Sequence, residues 1–249
     1  MIHYINSYIE GFYDSINIFK VFYTVLEIKE CRKLFSKMVF VNVILFFLTY
    51  ISIDKFCNLN NLNCNSIIYL FWIYPLLPII YCLNIKYQDK IIYNYFISKE
   101  KKVITINNDL EKEIAYKLWY NINFLFYILI INIFSYFPYV GKYIYFLTIS
   151  LIYSYFCIDY YWDFKNIPYE ERFEIYEEKL TYFLGFGTIF SILKFNFNYI
   201  SSFIMISLIY PLLAIKFIYI KIKKSDSQKI PIFCFIFRIT LKIIKYFVD

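Results

Sequence analysis

Few residues in this chain of 249 could build a reactive centre: one histidine, six cysteines and an acidic run near position 170. His3 lies in a segment expected to fray and has no second histidine with which to form a metal site or an acid–base dyad. The cysteines, at 31, 57, 64, 82, 157 and 234, contain no CxxC pair, so metal or dithiol spacing is missing. Four glycines (Gly11, Gly141, Gly185 and Gly187) cannot make a phosphate loop or a dinucleotide fingerprint. Asp159, Asp163, Glu170, Glu171, Glu174, Glu177 and Glu178 offer either a paired-carboxylate site or a solvated helix. The second reading is preferred, because Glu170, Glu174 and Glu178 recur at every fourth residue and so form a water-facing stripe. No catalytic, cofactor-binding or metal-binding residue is assigned, and the chain is read as non-enzymatic.

The elements that carry these residues are written in a strongly apolar alphabet. Hydrophobic side chains make up 61% of the sequence and charged ones 18%, with a mean hydropathy of +0.53. Soluble domains are nearer half apolar, and here the charges fall in blocks between long uncharged runs. The runs are 38–53, 67–85, 118–141, 143–158, 180–193 and 195–215. A bilayer crossing takes about 20 residues. The fold class is therefore all-α, a polytopic membrane helix bundle with about six hydrophobic helices. A helix over 118–158 would be roughly 60 Å long, about twice the hydrocarbon thickness, so it must break near Pro138, Gly141 and Lys142. The stretch 180–215 must likewise break near Lys194. Its first half, at roughly 21 Å, is short for a crossing, and re-entrant hairpins are the alternative to full spans in both stretches.

Charge placement gives the topology. Lys and Arg gather on the cytoplasmic side of short loops. Of 26 basic residues, five lie in the N-terminal segment, seven in the 86–117 loop, three in the 159–179 loop and eight in the tail from Lys216, leaving Lys55, Lys142 and Lys194 for the opposite side. Both termini are thus expected in the cytoplasm. The domains expected are a cytoplasmic amphipathic segment 1–37, a membrane domain 38–215 and a basic amphipathic tail 216–249. The net charge of +7 suits an anionic membrane surface better than nucleic acid, because its cations flank apolar runs. Residues 1–37 carry too many charges for a cleavable signal, so the first membrane helix is expected to direct targeting. Ile5, Ile9, Phe12, Ile16, Phe19, Tyr23 and Leu26 follow a helical period, as an interfacial helix would or one packed on its own bundle. Cys57 and Cys64 share the non-cytoplasmic 54–66 loop, where they could form a disulfide or remain two free thiols.

Several short motifs then fall in one order along the chain. They are Gly11-Phe12-Tyr13-Asp14-Ser15, Tyr87-Gln88-Asp89, Phe137-Pro138 with Val140-Gly141, Tyr153-Ser154-Tyr155-Phe156-Cys157-Ile158-Asp159-Tyr160-Tyr161-Trp162, Tyr182-Phe183-Leu184-Gly185-Phe186-Gly187 and Tyr210-Pro211-Leu212. In this register the chain resembles the etoposide-induced protein 2.4 family, which belongs with the bacterial CysZ sulfate permeases. The resemblance covers residue 11 to about residue 215, with a shorter loop before the first run and one residue fewer between Pro138 and Gly141. It implies a multi-pass protein of the endoplasmic reticulum. For eukaryotic members it implies a role in autophagy and membrane quality control, through protein partners at cytoplasmic loops; for bacterial relatives it implies anion permeation. Lys194 bears on that alternative: at mid-bilayer it would cost about 2.5–3.5 kcal/mol, at a turn almost nothing. Asp159, at the end of the fourth run, could anchor its helix or bind a partner cation.

Overall fold

The computed structural model describes residues 2–43, 51, 55, 74–100, 133 and 137–220. The Cys57–Cys64 pair, most of the third apolar run and the tail beyond residue 220 lie outside the described residues. Among those described, all regular structure is helical: α1 (Ile2–Ile16), α2 (Phe19–Glu27), α3 (Lys29–Val39), α4 (Tyr74–Glu100), α5 (Gly141–Phe164), α6 (Tyr169–Glu178), α7 (Leu180–Asn196) and α8 (Tyr199–Lys216). Two of these are long and apolar enough to cross a membrane, α5 with 24 residues and α8 with 18. That is fewer than the six crossings expected, partly because α7 has 17 residues and the first three runs are only partly described.

The helix boundaries have local causes. Pro138 and Val140 flank Tyr139 at φ 66, and the amide of Gly141 donates to the Phe137 carbonyl at 2.9 Å, so the turn hands the chain to α5. At the other end of α5, Asn166 takes φ 54, its amide donates to Asp163 and that of Ile167 to Trp162, a Schellman cap. Pro168 then fixes the entry to α6. The side chain of Asn198 accepts the Ser201 amide at 3.0 Å, which caps α8 and ends the α7–α8 connection. The periodic stretch from Ile5 to Leu26 is divided between α1 and α2, and extended backbone at Ile28 separates α2 from α3. A π-helical turn over Phe40–Val43 continues α3.

The chain divides into two compact units. The first holds α1, α5, α6 and α7 as far as Ile192; the second holds α2, α3, α4, the end of α7 from Leu193, and α8. The first unit has an aromatic core in which Tyr176 stacks on Phe183 at 4.4 Å and Tyr155 packs edge-on against Trp162 at 5.6 Å. The second has an aliphatic core of Val41, Ile80, Ile200 and Ile204. Elsewhere the distribution is inverted relative to a water-soluble fold. Along α1 the inward residues are Gly11 and Ser15, while Ile2, Ile5, Ile9 and Tyr13 are 76, 52, 56 and 67% exposed. Small residues line the helix contacts and large apolar ones face outward.

Candidate functional site

Within the first unit the motif residues converge on one three-helix junction. A side chain at Gly11 would run into the Tyr182 carbonyl, one at Gly185 into the Tyr8 carbonyl, and one at Gly187 into the Ser150 carbonyl. Glycine is thus required where α1 meets α7 and where α7 meets α5, because backbones approach with no room for a Cβ. Hydroxyls surround these contacts. Tyr182 donates to Asp14 at 2.8 Å, and Tyr8 donates to Thr188 at 2.9 Å, the Thr188 proton being given to Leu184. Ser191 donates to the Phe146 carbonyl at 2.7 Å and accepts from Ser150, 2.8 Å away. The close approach leaves buried hydroxyls that must be satisfied between helices, and each is.

On the other side of α5, Ser154 lies 2.8 Å from the Tyr176 hydroxyl, which donates to the Leu151 carbonyl at 2.7 Å. Burial pushes the Tyr176 pKa up, against the hydrogen bond to Ser154. One turn further along, Arg172 of α6 reaches back to α5: Nη1 to Asp159 at 2.8 Å, Nη2 to Asp163 at 2.7 Å and Nε to the Ile167 carbonyl at 2.8 Å. Burial disfavours the guanidinium charge, but Asp163 and Asp159 outweigh it and hold the Arg172 pKa above its ordinary value. The cation that Asp159 meets is thus this chain's own arginine. Of the stripe expected from the sequence, Glu174 is exposed and Glu178 half-buried, while Glu177 beside it is buried.

The second unit joins the remaining motifs. Gln88 of α4 donates through Nε2 to the Ser207 carbonyl of α8 at 2.9 Å. In a regular helix that carbonyl would accept the amide of residue 211, which is Pro211 and has none. Asn42 and Asn84, both buried, exchange side-chain amide hydrogen bonds at 2.7 and 2.8 Å. Asp89 is exposed on α4.

The quoted motif positions therefore fall into two constellations. Gly11, Phe12, Asp14, Ser15, Gly141, Tyr153, Ser154, Cys157, Asp159, Tyr160, Trp162, Gly185, Phe186 and Gly187 belong to the first unit, where Tyr153 stacks on Phe190 at 4.7 Å. Pro138 is exposed in the turn before α5. Gln88 and Pro211 form the second. A third set of residues, Arg172, Tyr176, Ser150, Ser191, Asn42 and Asn84, completes these contacts without having stood out in the sequence. The available signal was the four-residue spacing of small polar residues at Ser150 and Ser154 and at Gly187 and Ser191. Lys194 is half-buried in the last turn of α7, two residues before the helix ends, where a cation complements the helix dipole. Cys31 and Cys157 are buried free thiols and Cys82 is exposed. No group of three or more His, Cys, Asp or Glu that could hold a metal occurs among the described residues.

Five of the six motifs lie within a family match, and Gly11–Ser15 precedes it. The family model described as sulfate transporter CysZ/etoposide-induced protein 2.4 matches residues 17–218. The chain belongs to this family. It is 26% identical over 246 residues to the protein EI24 homolog of Dictyostelium discoideum, covering 90% of this chain and 78% of that protein. Over 75 residues it is 31% identical to the protein EI24 homolog of Arabidopsis thaliana, covering 30% of this chain and 23% of that protein. No solved structure matches. The matched span includes the Gly185–Gly187 element, the Arg172 clamp and the Gln88–Pro211 relationship.

Proposed function

We propose that the chain is a multi-pass membrane protein of the endoplasmic reticulum that supports autophagy or membrane homeostasis without catalysing a reaction. The observation that carries the membrane reading is the inverted burial of α1. A soluble fold would hide Ile5 and Ile9 and leave Ser15 wet, whereas lipid reverses that preference. In this reading the apolar runs make about six hydrophobic helices, as full spans or re-entrant pairs, with both termini in the cytoplasm. The cellular role rests on the similarity to proteins named EI24 homologs, and protein partners would meet the cytoplasmic loops. The polar groups described at the helix junctions serve packing, which suits a non-catalytic scaffold. Expression in Dictyostelium cells lacking their EI24 homolog tests the role. Recovery of autophagic flux by carbonate-resistant, reticulum-resident protein supports it; correct insertion without recovery rejects it.

A second reading is favoured by the family description, which includes a sulfate transporter, and by Lys194, a cation in the last turn of apolar α7. In this reading the protein passes small anions, and helix termini supply donors beside the lysine. Labelled sulfate uptake into proteoliposomes, compared between the wild type and Lys194→Ala, decides it. Saturable uptake reduced by the substitution makes the chain a permease. Tight vesicles containing inserted protein leave the scaffold role.

A further inference from the structure

Just beyond α8 the second unit gathers two tyrosines, a threonine and two lysines from α2, α4 and the turn after α8. Tyr95 of α4 is fully buried, and its hydroxyl lies against those of Thr24 and Tyr219. Thr24 gives its proton to the Val21 carbonyl at 2.9 Å, so Tyr95 donates to Thr24 and Tyr219 donates to Tyr95. The protons of these three hydroxyls run in one direction, from Tyr219 to Tyr95 to Thr24 to the Val21 carbonyl. Lys20 stands 5.9 Å from the Tyr219 ring centroid, and Lys99 stands 6.0 Å from that of Tyr95. Both lysines are exposed, and each is drawn to an aromatic face by cation–π attraction. The hydroxyl chain fixes the two rings, and the rings localise two ammonium groups.

The depth of this cluster identifies what those groups would meet. Tyr219 lies three residues beyond Lys216, the last residue of membrane-capable α8, hence about 5 Å further along the chain direction. The headgroup layer outside the hydrocarbon is roughly 5–7 Å thick on each side, so the cluster stands at phosphate level. Lys20, Lys99 and Tyr219 also come from the three segments whose basic content marks them as cytoplasmic. Lys221, Lys223 and Lys224 follow at once in the sequence. Anionic lipids are concentrated in a cytoplasmic leaflet and attract juxtamembrane cations.

We propose that Lys20 and Lys99, held by the Tyr95–Tyr219 pair, bind the phosphate-bearing headgroup of an anionic phospholipid in the cytoplasmic leaflet. This inference rests on the membrane reading above. Full-length protein, purified in detergent and stripped of lipid, is offered phosphatidylcholine, phosphatidylinositol 4-phosphate or inorganic phosphate, and bound adducts are measured by native mass spectrometry. The wild type retains the phosphoinositide over phosphatidylcholine. Lys20→Gln with Lys99→Gln weakens that retention roughly thirtyfold, and each single change roughly fivefold. The corresponding arginine variants keep it, and Lys142→Gln is without effect. The single variants carry the test if the double variant aggregates. Equal retention by wild type and glutamine variants overturns the proposal, as does displacement of the lipid by an equal concentration of inorganic phosphate, which would assign the cluster to a soluble ligand. Carbonate extraction of the wild type from membranes reads the underlying membrane assignment separately.

Discussion

The side-chain amide of Gln88 occupies the place that the backbone amide of residue 211 would take if Pro211 were any other residue. Ser207 thereby keeps a donor at 2.9 Å although position 211 supplies none. Replacing Gln88 with leucine strands a buried carbonyl, at an expected cost of about 1–3 kcal/mol. The same change in a Pro211→Ala background should cost much less, because the restored amide reaches Ser207 itself. Thermal unfolding of the four proteins in detergent reads this coupling, and equal losses in both backgrounds would dissociate Gln88 from the proline.

Gly187→Ala and Gly185→Ala should each destabilise the first unit. Each new methyl meets backbone, of Ser150 or Tyr8, and not the yielding end of a side chain. Overpacking of this kind costs about 1–3 kcal/mol and sometimes more. Alanine at the exposed Ser36 of α3 serves as the control. Detergent-solubilised yield and melting temperature should fall for the glycine variants and remain unchanged for the control.

Arg172→Met should be more damaging than Asp163→Asn. The methionine removes the cation that both carboxylates share and the donor to the Ile167 carbonyl, at an expected cost of about 1.5–3 kcal/mol. Asp163 is the more exposed partner and its amide replacement can still accept a hydrogen bond. Arg172→Lys keeps the charge but cannot reach Asp159, Asp163 and the Ile167 carbonyl together, so it should fall between them. Proteolysis between α5 and α6 offers a readout local to the clamp.

Cys31 predicts both reactivity and pH dependence. Burial, with the neighbouring Glu30 adding to it, raises the thiol from 9.0 to about 11. The folded state therefore binds this proton more tightly than the unfolded chain does. The resulting stability is complete below about pH 9 and is lost as pH rises through about 11, so a Cys31→Ala protein should lose less stability across that window. Near neutral pH, labelling of the buried Cys31 by maleimide should appear only on unfolding.

Much of the local architecture was legible in the sequence. The break before Gly141 followed from a helix too long for any bilayer, and the turn at Pro138–Tyr139 meets that need. Asn166 with Pro168 is a readable stop and restart, since asparagine tolerates positive φ and proline opens the next helix. Residues paired at a distance were not legible. Nothing in the acidic stretch distinguished Arg172 as the cation for Asp159, because that contact exists only after α6 folds back. Gln88 and Ser207 are 119 positions apart, and a lone proline does not announce which side chain will compensate for it. The period of Ile5, Ile9 and Ile16 was visible, but which face of α1 turned inward depended on Gly11 meeting α7.

The Gly11–Tyr182 contact also sets an order of events during synthesis. The groups of α7 that receive α1, Tyr182 and Thr188, are made 168 and 180 positions after their partners Asp14 and Tyr8. At translation rates of about 5–20 residues per second, α1 waits roughly 10–35 s before its glycine face has anything to meet. Throughout that interval the ribosome-bound chain presents an amphipathic helix with no docking site of its own.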